Sequence, residues 1–64
     1  MDIVIHEVFS VSATAEPGLY MIDIDFTDQW GQRDRVIYPS RQSDRFGANP
    51  VILAYLAAHP ELMP

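Results

Sequence analysis

Between Leu19 and Thr27 the chain alternates without a break, Tyr20, Ile22, Ile24 and Phe26 on one parity and Met21, Asp23, Asp25 and Thr27 on the other. Strict period two is the pattern of a β-strand that sets one row of side chains on a core and the other in solvent. Both ends of this strand carry turn chemistry. Before it stands Glu16-Pro17-Gly18, where proline presets φ at the first central position and glycine accepts a positive φ at the second, the type II pattern. After it stands Asp28-Gln29-Trp30-Gly31, with Gly31 suited to a left-handed position beside a bulge.

The neighbouring segments fit strands on either side. Ile3 to Ala13 is rich in Val, Ile and Phe and reads as a strand. Its odd positions Ile3, Ile5, Phe9 and Val11 are expected on the core, although Val4 and Val8 make the even face partly apolar. Glu7 breaks the alternation, so it marks a bulge that shifts the register or sits at the rim. Arg33 to Tyr38 reads as a third strand with Val36 and Tyr38 inward, Arg33, Arg35 and Ile37 outward, and Pro39 as its stop. A polar loop over 40–48 leads to Asn49-Pro50, read as a helix start with Asn as the cap. Val51 to His59 is then helical, with Ile52, Tyr55, Leu56 and His59 on one stripe, and Pro60 ends it. The expected fold is one α+β domain spanning 1–64, a three-stranded antiparallel β-meander with one C-terminal α-helix packed on the sheet (β-β-β-α). Its core is Ile3, Ile5, Phe9, Val11, Tyr20, Ile22, Ile24, Phe26 and Val36, closed by Ile52, Tyr55 and Leu56. Either edge strand is free to extend a sheet in a partner or a second copy.

A chain of 64 residues is near the lower limit for folding alone, and it has no cysteine, which removes disulfides and thiolate metal sites. Its 48% apolar content is that of a globular domain. No stretch approaches the roughly 20 apolar residues of a membrane span, and the N-terminus lacks the basic start of a secretory signal. The expectation is a protein with no membrane association that stays in the cytoplasm of the cell that makes it.

Charge is divided along the chain. The first 28 residues hold six carboxylates (Asp2, Glu7, Glu16, Asp23, Asp25 and Asp28) and no Lys or Arg, whereas all four basic residues are arginines between Arg33 and Arg45. A net charge of −5 disfavours direct nucleic-acid binding, which depends on cations neutralising phosphates, and favours basic partners. Asp23 and Asp25 share a strand face about 6.6–6.8 Å apart by strand rise. Successive phosphates on one nucleic-acid strand are separated by a similar distance, on the order of 6–7 Å. One reading is therefore an acidic row that imitates a phosphate backbone, with Asp23, Asp25 and Asp28 as core contacts and Glu7 and Asp2 as auxiliaries. The other is a solvated face whose charge serves solubility, and the arginines are free to pair with it.

Asp23-x-Asp25-x-x-Asp28 lacks the loop glycine and bidentate Glu of a calcium loop, and strand alternation splays its ligands. His6 and His59 titrate near neutrality but have no nucleophile at a telling spacing. The expectation is no enzyme, no cofactor and no metal. Trp30, at a hairpin tip with Arg33 and Arg35 nearby, forms a second candidate contact patch, since Trp and Arg are favoured interface anchors. Its alternative is to fold back over the core.

Asp44-Arg45-Phe46-Gly47-Ala48-Asn49-Pro50, followed by Val51-Ile52-Leu53-Ala54-Tyr55-Leu56, resembles the ends of small phage and prophage proteins, which carry an Asp-x-Phe-Gly-x-x-Pro turn before a last short helix. In that setting Phe46 plugs the helix against the sheet. The resemblance implies a tail-associated component or a host-defence inhibitor of the anti-CRISPR kind. With the acidic row, the expected function is a phage-encoded, non-enzymatic inhibitor whose DNA-mimicking face occupies the basic nucleic-acid-binding groove of a host defence complex, acting as a monomer or weak homodimer. The alternative is a virion or tail accessory protein joining neighbours through a sheet edge and Trp/Arg contacts.

Overall fold

A computed structural model of the chain describes residues 2–41 and 48–64. Three strands, β1 (Val4–Ala13), β2 (Tyr20–Thr27) and β3 (Arg33–Pro39), precede helix α1 (Ala48–Ala58) and a 3₁₀ turn over Pro60–Leu62. The strands form one antiparallel sheet in the order β1-β2-β3, and the fold is the β-β-β-α arrangement expected. The 42–47 part of the polar loop, with Asp44 and the proposed plug Phe46, lies outside the described residues.

Both hairpins close as their turn residues dictate. The Leu19 N–H donates to the Glu16 carbonyl at 3.2 Å, and Gly18 takes φ +79°, the left-handed value a type II turn needs. At the second hairpin the Gly31 N–H donates to the Asp28 carbonyl at 3.0 Å and Gly31 takes φ +84°. The Asp28 carboxylate also accepts the Trp30 and Gln32 N–H groups at 2.9 and 3.0 Å, so its side chain is the scaffold of this turn.

The register from β2 to β3 is continuous, running from Met21↔Pro39 to Thr27↔Arg33. That from β1 to β2 slips twice, between Ile5 and Glu7 and between Val8 and Ser10. Each slip inserts one unopposed residue, His6 and then Phe9, and flips the faces beyond it. Ile5, Val8 and Val11 therefore stand opposite Phe26, Ile24 and Ile22. The first slip is the bulge that Glu7 signalled. The second corrects the core: Val8 is the inward residue, and Phe9, expected inside, is 43% exposed.

Helix α1 crosses the inner face of the sheet. Ile52 is fully buried with Ile22 and Ile24, and Val11, Tyr38, Ala48 and Leu56 complete the buried cluster. Leu62 and Met63, after the helix, pack on it as well, which the expected core omitted. Burying an Ile side chain stabilises by roughly 1.5–3 kcal/mol, so these central residues carry much of the domain. The helix begins at Ala48, before the Asn49 expected to cap it. The Asn49 side-chain oxygen instead accepts the Tyr38 hydroxyl at 2.9 Å, tying the first turn of α1 to β3. Pro50 remains in that first turn, where a missing N–H costs nothing. At the other end the His59 Nδ1–H donates to the Tyr55 carbonyl at 2.9 Å, and the two rings stack at 4.2 Å. His59 thus closes the helix C-terminus by satisfying one of its orphan carbonyls.

Candidate protein-interaction face

With α1 on one side, no element among the described residues covers the other side of the sheet. Its residues follow from the register. From β1 come Val4, Glu7 and Ser10, from β2 Thr27, Asp25 and Asp23, and from β3 Arg33, Arg35 and Ile37. Asp25 stands opposite Arg35, and Asp23 opposite Ile37.

The aspartates do not form a bare acidic row. Arg35 straddles Asp23 with a two-pronged contact, Nε to Oδ1 at 3.0 Å and Nη2 to Oδ2 at 2.9 Å. Arg33 does the same to Asp25 at 3.2 and 2.9 Å. Each pair runs diagonally across the β2–β3 ladder, within reach of a long side chain on the same face. Bidentate guanidinium–carboxylate contacts of this geometry are among the stronger and more directional polar interactions. The Asp25 and Asp23 side chains keep only 18% and 21% of their exposure, whereas Arg33 and Arg35 above them keep 61% and 57%. What a partner meets over both aspartates is therefore a guanidinium.

The electrostatics follow from the contacts. Hydrogen bonds from Arg35 hold the Asp23 carboxyl below the ordinary carboxylate range; partial shelter from water opposes this and the charge of Arg35 adds to it. Asp25 is lowered in the same way by Arg33. Arg35 is held on a second side, its guanidinium carbon 3.7 Å from the centre of the Phe9 ring. The Phe9 bulge, unforeseen from periodicity, is what brings that ring out to the arginine.

Glu7 lies on the same face opposite Asp25, near enough for its charge to act on Arg35. His6 Nε2 lies 2.7 Å from the Thr27 hydroxyl. Asp2 is exposed ahead of β1, at the end of the sheet where the β2–β3 turn lies. Trp30, in that turn, is 66% exposed and does not fold back over the core. The structure thus brings Asp23, Asp25 and Glu7 together on one face with Arg33, Arg35, Phe9 and Ile37, and leaves Asp28 in the turn it builds. Arg41 lies outside this group. It donates to the Glu16 carboxylate at 2.7 Å and the Pro17 carbonyl at 2.6 Å, clamping the first hairpin to the end of β3.

Phe9, Ile37, Trp30 and Val4 are 43%, 59%, 66% and 48% exposed, which leaves large apolar surface interleaved with fixed charge pairs. Two apolar hollows of about 460 and 470 Å³ flank α1, the first beside Tyr20, Leu53 and Met63 and the second beside Val4, Ile5, Val51 and Tyr55. Among the described residues, no helix is long and apolar enough to cross a membrane. Compared with protein-family models, curated proteins and solved structures, the chain finds no match in any of the three.

Proposed function

We propose that this chain is a small, non-enzymatic protein-binding domain of the phage inhibitor or accessory type, and that it engages its partner through the open face of the sheet. The observation that carries this reading is the Phe9–Arg35–Asp23 stack beside exposed Ile37. It is a preorganised aromatic and arginine surface whose side-chain entropy is already spent before binding. Aromatic and arginine side chains are among those enriched at protein interfaces, and this face exposes Phe9, Trp30, Arg33 and Arg35.

A second reading keeps the basic nucleic-acid-binding groove as partner, because Asp2, Glu7 and Asp28 remain negative at one end and one edge of the face. The two readings predict opposite responses to one variant. In Arg33→Ala/Arg35→Ala the aspartates are uncovered. Binding to a basic groove then strengthens, whereas binding through the arginine and aromatic surface weakens. Capture from a host-cell extract on the wild-type chain, on this variant and on Ile37→Asp tests both. A protein retained by the wild type and lost by Ile37→Asp and the double variant supports the open-face reading. Equal retention by all three rejects it, and stronger retention by the double variant transfers the contact to the acidic groups.

A further inference from the structure

The two edges of the sheet are not equivalent. β1 carries two bulges, at His6 and Phe9, which interrupt any ladder a new strand would form. β3 is regular along its whole length. Two hydrogen bonds beyond its ends fix which of its backbone groups are free. The Ser40 N–H donates to the Tyr20 carbonyl at 2.9 Å, and the Asp28 N–H to the Gln32 carbonyl at 2.9 Å. Antiparallel ladders alternate, so the even residues Asp34, Val36 and Tyr38 direct their N–H and C=O toward β2. The odd residues Arg33, Arg35, Ile37 and Pro39 direct theirs outward.

One of these outward donors is already taken. The Asp34 carboxylate accepts the Arg35 N–H at 2.9 Å, folding back over the middle of the edge. Pro39 has no N–H to offer. Among the described residues, the edge thus presents donors at Arg33 and Ile37 and acceptors at all four odd residues, with its central donor covered by the Asp34 side chain.

We infer that β3 is the edge at which a second copy of this chain adds, antiparallel about Val36, and that Asp34 is the latch opposing it. The register is chosen by charge and by hydrogen bonds. A twofold axis at Asp34 or Arg35 sets like charges directly opposite each other, which is destabilising. An axis at Ile37 shortens the ladder, pairing only residues 35–39 of each β3, whereas an axis at Val36 pairs the strand over its full length, residues 33–39. The axis at Val36 sets Arg35 opposite Ile37 and Arg33 opposite Pro39, and it satisfies every outward donor once Asp34 releases the Arg35 N–H. The product is a six-stranded sheet with both helices on one side and a bulged β1 at each outer edge. The bulges stop growth, so the assembly closes at two.

Sedimentation equilibrium of the full chain tests this directly. The wild type is expected to dimerise weakly. Asp34→Ala, at an exposed position outside the core, is expected to lower the dimer dissociation constant by about tenfold or more, since it frees one hydrogen bond per protomer. Asp34→Asn keeps the accepting oxygen and is expected to stay near the wild type. In the Asp34→Ala background, Ile37→Lys places a cation opposite Arg35 of the second copy and is expected to return the chain to monomer. Ile37→Glu places an anion there and is expected to preserve or tighten the dimer. An Asp34→Ala chain as weakly associated as the wild type overturns the proposal. So does a ladder larger than a dimer, or an equal loss from Ile37→Lys and Ile37→Glu. These outcomes are independent of the open-face reading, whose readout is capture of a different protein.

Discussion

Arg35 shows how much one residue's neighbours change what its charge is for. Its guanidinium lies between the Asp23 carboxylate and the Phe9 ring, so it is at once neutralised, oriented and desolvated on one side. A lone surface ion pair contributes little to stability, but two parallel bidentate pairs on adjoining rungs fix the face as a unit. Their pH dependence has a definite sign. The Asp23 and Asp25 pKa values are lowered in the fold, so the stabilisation is complete above the unfolded carboxylate value of about 4 and is lost as pH falls through the lowered values. The stability gap between the wild type and Arg33→Ala/Arg35→Ala, measured by urea denaturation, is therefore expected to be widest near neutrality. It is expected to close as the pH is taken below the ordinary carboxylate range and through the lowered Asp23 and Asp25 values. A gap that holds constant to low pH would mean the arginines stabilise by packing alone.

At the scale of elements, legibility followed regularity. β2 and its turns were readable because alternation and turn residues agree with each other and with the final contacts. The inward set of β3 and the stripe of α1 were readable for the same reason. β1 was half readable: Glu7 announced one bulge, but the second left no mark, because Val8 and Phe9 are both apolar and either satisfies a core. In the fold Val8 stands opposite Ile24 and packs on the buried cluster, while Phe9 lies outside against the Arg35 guanidinium. Accordingly, Phe9→Ala is expected to cost well under the roughly 3–5 kcal/mol of a buried Phe truncation. Val8→Asp, which drives a charge toward the core, is expected to unfold a large fraction of the chain, as circular dichroism would report. The Asp–Arg ladder was legible in principle. Asp23, Asp25, Arg33 and Arg35 all belong to the outward sets of two strands joined by a tight turn, and the turn fixes the register that makes them neighbours. The blocks of one sign along the chain leave open whether the arginines pair with the acidic face, and the register across the hairpin decides it.

For the molecule as a whole, the margin is small. A domain of 64 residues has a stability of roughly 3–10 kcal/mol by the usual per-residue range. Ile52 is the side chain through which α1 reaches Ile22 and Ile24, and Ile52→Ala is expected to cost about 2–5 kcal/mol. The thermal midpoint of that variant is expected to fall by about 8–40 °C, at ~4–8 °C per kcal/mol for a domain of this size. A smaller loss would place the centre of the core elsewhere.

The order β1-β2-β3 also bears on how the chain reaches its native state. Every strand is hydrogen-bonded to its neighbour in sequence, so both hairpins close short loops and need little of the chain to be searched. The contacts that cost most entropy are those that bring α1 and the Leu62–Met63 tail back over β1 and β2. The sheet thus has the means to assemble early by local steps, with the helix docking last. Substitutions in the hairpins then act mainly on the rate of folding, and those beneath the helix mainly on the rate of unfolding. A meander roofed by its final helix is, in kinetic terms, a chain whose lifetime is set at one end and whose formation is set at the other.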